Sequence, residues 1–282
     1  MTDVLRYTAF SATPEGGNPA GVVLDAQGLD DARQLAIAAE VGYSETAFLV
    51  PSDTEDTRTF GIRYFSPEAE VAFCGHATIA TAVALAERIG PGDVLFESPA
   101  GPIPVSVTRD AEGTPLATLS SVAPHSAPPE RADLDEALAA LGWKEDELDP
   151  DIPPRVAFAG NNHLVLAAAT RERLAALDYD FERLKSLMVR LDLTTLQLVW
   201  RESADVFHVR DPFPVGGVVE DAATGAAAAA FGGYARESGL VPEDARLTLH
   251  QGDDMGRPGV LTVELRPGDP RVHVSGTATR IA

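Results

Sequence analysis

Four side chains in the 282-residue chain have types and surroundings suited to moving a proton. Glu45 lies in Tyr43-Ser-Glu-Thr-Ala-Phe-Leu-Val50, where a two-residue period puts its carboxylate on the face of Tyr43, Ala47 and Leu49. A carboxylate on such a face sits either at the wet end of a strand or partly out of water, and the second setting suits a group that takes a proton and returns it. His76 stands in the first turn of a helix candidate, where imidazole can donate to a substrate, partner Glu45, or bond to nearby backbone. Asp221 precedes Thr224-Gly225 and is either a helix cap or an acceptor for a substrate amine or hydroxyl. Cys74 stands two residues before His76 in the chain, and a free cysteine is most often a small buried apolar residue.

The elements that must position these groups include two helices of unusual composition. Ala77–Ala86 and Gly225–Ala235 have no charged face. A helix apolar all round is surrounded by protein, so each is expected to run through the middle of a domain. Its buried start presents unpaired N–H groups and about half a positive charge, which favours an anion. Two such ends at a cleft suit one small carboxylate. No Gly-x-x-x-x-Gly-Lys-Ser/Thr and no strand-linked Gly-x-Gly-x-x-Gly occurs, so a nucleotide fits less well than a small organic acid.

Around these helices the first half reads as strands at 2–10 and 20–24, a helix from Asp30-Asp31 to Glu40, strands at 46–50 and 60–65 separated by a polar loop at 52–58, the apolar helix at 76–88, and strands near 93–97, 102–108 and 115–119. Residues 122–130, rich in proline, read as a linker. The second half predicts a helix at 132–141, an acidic loop at 145–151, strands near 155–159 and 163–168, a helix across 171–190, strands at 195–201 and 205–210, the second apolar helix from Thr224, and strands at 246–250, 259–265 and 271–275. Each half holds several strands and one apolar helix entered through a Gly/Thr-containing turn, a layout that suggests two related domains.

Composition narrows the function classes. Lys plus Arg is 22 against 43 Asp plus Glu, a net charge of −21 with no basic cluster, which excludes nucleic acid as a partner. No apolar run spans a bilayer and no secretion signal opens the chain, so neither membrane nor export is expected. The single cysteine, Cys74, argues against an internal disulfide and against any cysteine-based zinc site, and fits a reducing cytoplasm. The histidines show no His-x-x-x-His or His-Glu-x-x-His spacing, so no metal is expected, and no Gly-x-Ser-x-Gly elbow occurs.

Six stretches, taken together and in order, carry a resemblance: Phe10…Gly17-Asn18-Pro19-Ala20-Gly21-Val22-Val23-Leu24, Gly42-Tyr43-Ser44-Glu45-Thr46-Ala47-Phe48, Ile62-Arg63-Tyr64-Phe65-Ser66-Pro67-Glu68-Ala69-Glu70, Phe73-Cys74-Gly75-His76-Ala77-Thr78, Glu220-Asp221-Ala222-Ala223-Thr224-Gly225, and Gln251-Gly252…Met255-Gly256-Arg257-Pro258. The chain resembles the PhzF-like family of phenazine biosynthesis, which shares the diaminopimelate epimerase fold. The resemblance implies an α+β fold of two similar domains, each a mixed β-barrel wrapped around a central α-helix, with the active site in the cleft between them. It places 1–121 plus 271–282 in the N-terminal domain and 122–270 in the C-terminal domain. It further implies a cytoplasmic homodimer that needs neither metal nor organic cofactor. By position, Glu45 matches the family's general acid/base, and Gly75, His76, Asp221 and Gly225 match substrate contacts; Cys74, Thr224 and Asn18 stand beside them as further candidates.

The family's Asp-Pro-x-Thr-Gly-Ser reads Asp221-Ala222-Ala223-Thr224-Gly225-Ala226 here, without the proline and without the serine hydroxyl. The expected activity is therefore a cofactor-independent isomerisation or epimerisation of a small amino or hydroxy carboxylic acid. Two alternatives stay open: a non-catalytic carboxylate-binding protein on the same scaffold, and a one-thiol racemase using Cys74 with Glu45.

Overall fold

The computed structural model describes residues 2–52 and 57–282, so 53–56 of the loop expected at 52–58 lie outside the described residues. The chain forms two compact units, Met1–Ser120 with Ser275–Ala282 and Ser121–Val274. The first unit holds β1 (Leu5–Ala9), β2 (Asn18–Val23), α1 (Asp31–Val41), β3 (Glu45–Pro51), β4 (Thr59–Phe65), β5 (Glu70–Val71), α2 (Gly75–Ile89), β6 (Gly92–Ser98), β7 (Gly101–Arg109) and β8 (Pro115–Ser120). The second holds β9 (His125–Ala127), α3 (Arg131–Leu141), β10 (Arg155–Phe158), β11 (Asn162–Ala167), α4 (Arg171–Ala175), α5 (Phe181–Arg190), β12 (Leu193–Arg201), β13 (Val206–Pro212), β14 (Glu220–Asp221), α6 (Gly225–Glu237), β15 (Arg246–Gln251) and β16 (Gly259–Leu265). β17 (Val272–Gly276) carries the chain back, and β18 (Ala278–Arg280) completes the first unit.

In the first unit the strand order is β18-β1-β2-β3-β4-β6-β7-β8. Two neighbouring pairs are parallel, β2 with β3 and β4 with β6, and each needs a crossover, supplied by α1 and α2. The crossovers differ in fate. Helix α1 packs Ile37 and Ala38 onto Val23, Phe48 and Phe65 in a small core of its own. Helix α2 has no polar side to give to water; His76 through Ala86 are all buried, and it touches β1, β2, β3, β7, β8 and β18. The sheet therefore curls around α2. A strand covered on both faces needs no alternation, which is why Thr46, Ala47, Phe48 and Leu49 are all buried in succession.

The second unit repeats this plan as β9-β10-β11-β12-β13-β15-β16, with β11–β12 and β13–β15 parallel and α6 in contact with β9, β10, β11, β12 and β16. The correspondence extends to the turns. A two-residue strand pairs back on the strand before it, β5 on β4 and β14 on β13, and after three intervening residues the central helix begins. Cys74 and Thr224 thereby occupy the same N-cap position. Along α6, a Cβ on Gly232 would come within 2.6 Å of Val263 Cγ1, so the bare backbone lets helix and strand touch.

Several details depart from the sequence expectations. The helix expected across 171–190 is two helices, because Asp180 accepts from the Arg183 N–H and starts α5 afresh after the chain has turned at Ala176–Tyr179. The expected linker at 122–130 contains β9, whose edge hydrogen bonds to β10 outweigh its proline-rich flanks. Asp221 is not the helix cap; that position is Thr224, and Asp221 instead accepts from the Thr224 hydroxyl. Among the described residues no helix is long and apolar enough to cross a membrane.

Replacing Gly232 by alanine gains helix propensity of about 1 kcal/mol but drives a methyl group into the stiff Val263 side chain. We expect overpacking to win, with Gly232→Ala destabilised by about 1–3 kcal/mol in urea unfolding. A midpoint at or above wild type would refute the close approach.

Candidate active site

In the first unit, the starts of β2, β3 and α2 come together. Gly17, with φ +57°, turns the chain where a Cβ would strike the Ala9 carbonyl, and so delivers Asn18 to the first position of β2. Glu45 is the first residue of β3, at the end of the strand rather than within its buried run, with its side chain 17% exposed. His76 is in the first turn of α2 and buried. The three meet through the imidazole: Asn18 Nδ2 lies 3.2 Å from Nδ1, and Glu45 Oε2 lies 3.4 Å from Nε2, with Ser44 Oγ also 3.4 Å from Nε2. Because the Asn18 amide donates to Nδ1, the other ring nitrogen, Nε2, carries the proton; its hydrogen-bond partner is Ser44 Oγ, and the Glu45 carboxylate lies beside it. Cys74 Sγ stands 3.4 Å from Nδ1 and 3.8 Å from Nε2.

The helix start beneath this cluster is fixed from below. The Thr78 hydroxyl donates to the Cys74 carbonyl at 2.7 Å, so the buried Tyr64 hydroxyl donates to Thr78 at 2.6 Å; burial pushes the Tyr64 phenol far up. Helix geometry leaves the Gly75, His76 and Ala77 N–H groups without intrahelical acceptors. A Cβ on Gly75 would meet nothing nearer than the Phe73 ring at 3.9 Å, so no protein contact demands glycine there. What its bare Cα leaves open is approach to the positive end of α2.

The second unit has a matching helix start, dressed by Asp221, Thr224 and Gln251. Thr224 donates from its hydroxyl to Asp221 Oδ2 at 2.6 Å, and its N–H goes to Gln251 Oε1 at 2.9 Å. Gln251 Nε2 donates to the Asp221 carbonyl and to Thr224 Oγ1. Gly225 and Ala226 at the tip of α6 are partly exposed. Glu220, beside Asp221, is clamped by a two-pronged buried pair with Arg210, at 2.9 and 2.5 Å, and Arg210 also donates to the Ala175 carbonyl.

Behind Asp221 lies a fully buried acid. Asp211 sits opposite Asp221 in the β13–β14 register, accepts from Thr195 Oγ1 at 3.0 Å, and is met at 2.8 Å by the Gln197 amide nitrogen turned toward it. Burial, then the nearby Asp221 charge, hold its carboxyl well above the usual range. Since Thr195 gives its one proton to Asp211, His163 donates to Thr195 from Nδ1 at 2.8 Å; burial pushes this histidine down to about 3.

The structure brings Glu45, His76, Cys74 and Asn18 together, with Gly75 next to them on α2, and separately groups Asp221 and Thr224, with Gly225 following on α6. The sequence reading misses Ser44, Gln251, Asp211 and the Tyr64–Thr78 support. Ser44 and Gln251 stand inside stretches that carried the family resemblance; Asp211, between Arg210 and Pro212, leaves no local signal. A lone cysteine does not by itself forbid a metal. Donor atoms of Glu45, Cys74 and His76 lie within 4.8 Å of one another, a grouping that residue spacing does not reveal. Spacing rules see ligands on one loop or helix; here the carboxylate comes from a strand start distant in sequence.

Comparison with known proteins agrees with this architecture. The family model described as "Phenazine biosynthesis-like protein" matches residues 7–282. The chain is 33% identical over 285 residues to "Uncharacterized isomerase YddE" of Escherichia coli strain K12, covering 98% of this chain and 95% of that protein. It is 29% identical to "Uncharacterized isomerase YfhB" of Bacillus subtilis, with the same coverage. Among solved structures, the Bacillus anthracis phenazine biosynthesis protein of the PhzF family superposes with a TM-score of 0.87 at 25% identity, covering 100% of this chain and 97% of that one. A probable proline racemase from Agrobacterium radiobacter, at 12% identity and a TM-score of 0.68 over 100% of this chain and 92% of that one, shares the fold.

Asp211 has a thermodynamic signature. A carboxyl whose pKa is raised by folding contributes fully below its ordinary value of 3.8, and that contribution is lost as pH rises toward the raised value. Asparagine mimics the protonated acid and cannot ionise. Across a pH series above about 4, wild-type stability in urea should fall relative to Asp211→Asn; parallel curves would show that Asp211 is not perturbed. On the match across nearly its full length, the chain belongs to the PhzC-PhzF family of phenazine biosynthesis-like proteins.

Proposed function

We propose that the protein is an isomerase in which Glu45 shuttles a proton on a small amino or hydroxy carboxylic acid, without an organic cofactor. The isomerase class follows from family membership and from relatives named isomerases along almost the entire chain. The observation that carries the assignment to Glu45 is its place at a strand end, 3.4 Å from the His76 imidazole, beside the uncapped start of a buried helix.

Each part has a distinct task. The free N–H groups of Gly75 and its successors hold the substrate carboxylate. Glu45 accepts the proton from the acidic carbon, leaving the electron pair delocalised into the adjoining carboxyl or unsaturated system, exchanges it with solvent while it rides on the carboxyl, and delivers a proton at the other position. His76, oriented by Asn18, keeps the carboxyl of Glu45 in place and donates from Nε2 to whichever oxygen gains charge. Asp221, held by Thr224, is a substrate contact that accepts from an amine or hydroxyl; Ala226 in place of a serine removes one donor and points to a substrate other than the phenazine precursor.

One observation favours a thiol as a second base: Cys74 Sγ lies within 4.8 Å of a Glu45 carboxylate oxygen. In that variant one group removes the proton and the other delivers it, and Cys74→Ala is without racemase activity; unchanged turnover discards it.

Glu45→Gln keeps the shape and removes the base. Turnover on a small-acid panel should fall by about 10²–10⁴-fold, and product formed by wild type in deuterated water should carry deuterium at the isomerised carbon. Full activity in the variant rejects the assignment. Asp221→Asn should raise KM more than it lowers kcat, as expected for a group that binds rather than reacts; an unchanged KM removes Asp221 from the substrate contacts.

A further inference from the structure

The Glu45–Cys74–His76 cluster combines the three side-chain donor types that zinc takes: carboxylate, thiolate and imidazole. Its spacing also fits. With metal–N and metal–O bonds near 2.0–2.1 Å and a metal–S bond near 2.3 Å, tetrahedral ligands stand about 3.4 Å apart for N···O and about 3.6 Å for S···N. Here Nε2 is 3.4 Å from Glu45 Oε2 and 3.8 Å from Cys74 Sγ, and every donor pair lies within 4.8 Å. Closing the remaining gap takes about 1 Å of movement, within reach of a rotamer adjustment of Glu45.

We propose that these three residues form a zinc site that shuts the enzyme off. One Zn²⁺ binds Glu45 Oε2, Cys74 Sγ and His76 Nε2, with the fourth position open to water or an anion. The Cys74 thiol gives its proton to solvent as the metal–sulfur bond forms. The His76 proton passes from Nε2 to Nδ1, where Asn18, its amide turned about, accepts it through Oδ1. Two anionic ligands and a dication cancel in charge, which lowers the cost of holding them in a largely dry place. The thiolate selects zinc over magnesium and calcium, and three protein donors instead of four leave the ion exchangeable. Inhibition follows because the lone pair that Glu45 uses as a base is bound to metal; that clause rests on the proton-transfer role proposed above, while the binding itself does not.

Cobalt(II) tests the site without any variant. Cys74 is the one cysteine in the chain, so a thiolate-to-cobalt charge-transfer band reports that residue alone. We expect one Co²⁺ per chain to give this near-ultraviolet band together with the strong visible absorption of a four-coordinate ion. One equivalent of Zn²⁺ should bleach both, excess Mg²⁺ should not, and His76→Ala should lose them. A pale six-coordinate spectrum lacking the thiolate band means that cobalt has gone to acidic surface groups, and it overturns the proposal. Zinc should also abolish turnover, with recovery on chelation; zinc bound with its thiolate signature but turnover intact overturns the inhibitory role. Full activity in Glu45→Gln would instead sink the assigned base and leave the cobalt spectrum standing.

Discussion

A helix without a polar face can be buried on every side, but its first N–H groups cannot be satisfied by the helix itself. Both central helices of this protein live under that constraint. Sheet strands surround their length, so the unsatisfied end is the place where polar chemistry must gather. In the first unit the gathering consists of Glu45, His76, Cys74 and Asn18; in the second it consists of Asp221, Thr224 and Gln251. The residues proposed for catalysis are thus not an ornament on an indifferent scaffold. They occupy the one position that this architecture leaves electrostatically unfinished.

The two units solve the same problem differently. At equivalent cap positions stand a thiol and a hydroxyl, Cys74 and Thr224, and at the next helical position but one stand His76 and Ala226. The first unit therefore carries a carboxylate, an imidazole and a thiol side by side, while the second is stocked with hydrogen-bonding groups held rigid by Gln251 and by the Arg210–Glu220 clamp. A shared plan with divided chemistry follows from duplication of the structural role without duplication of the reactive side chains.

Much of this was legible in the chain. The absence of charge over Ala77–Ala86 and Gly225–Ala235 marked both central helices, because burial on all sides leaves nothing periodic to find except apolarity. Glu45 was legible as a carboxylate among apolar neighbours, and its family match was local and specific. What escaped were features set by long-range pairing. The two-residue strands β5 and β14 are too short for any pattern, and Asp211 owes its burial to strand register. The break between α4 and α5 was hidden because apolar spacing continued across Asp180, whose capping bond decides the matter locally. The donor set at Cys74 was invisible for the same reason as Asp211: proximity in space without proximity in sequence.

The pairing of β18 with β1 has a bearing on how the molecule is made. The second unit is one continuous stretch, Ser121–Val274, but the first is assembled from an early segment and a distant one, Ser275–Ala282. During synthesis the early segment emerges lacking its edge strand and must wait with that edge unpaired until the whole of the second unit has followed it. The half that bears Glu45 is thereby the later of the two to be completed, although its first strands are made first.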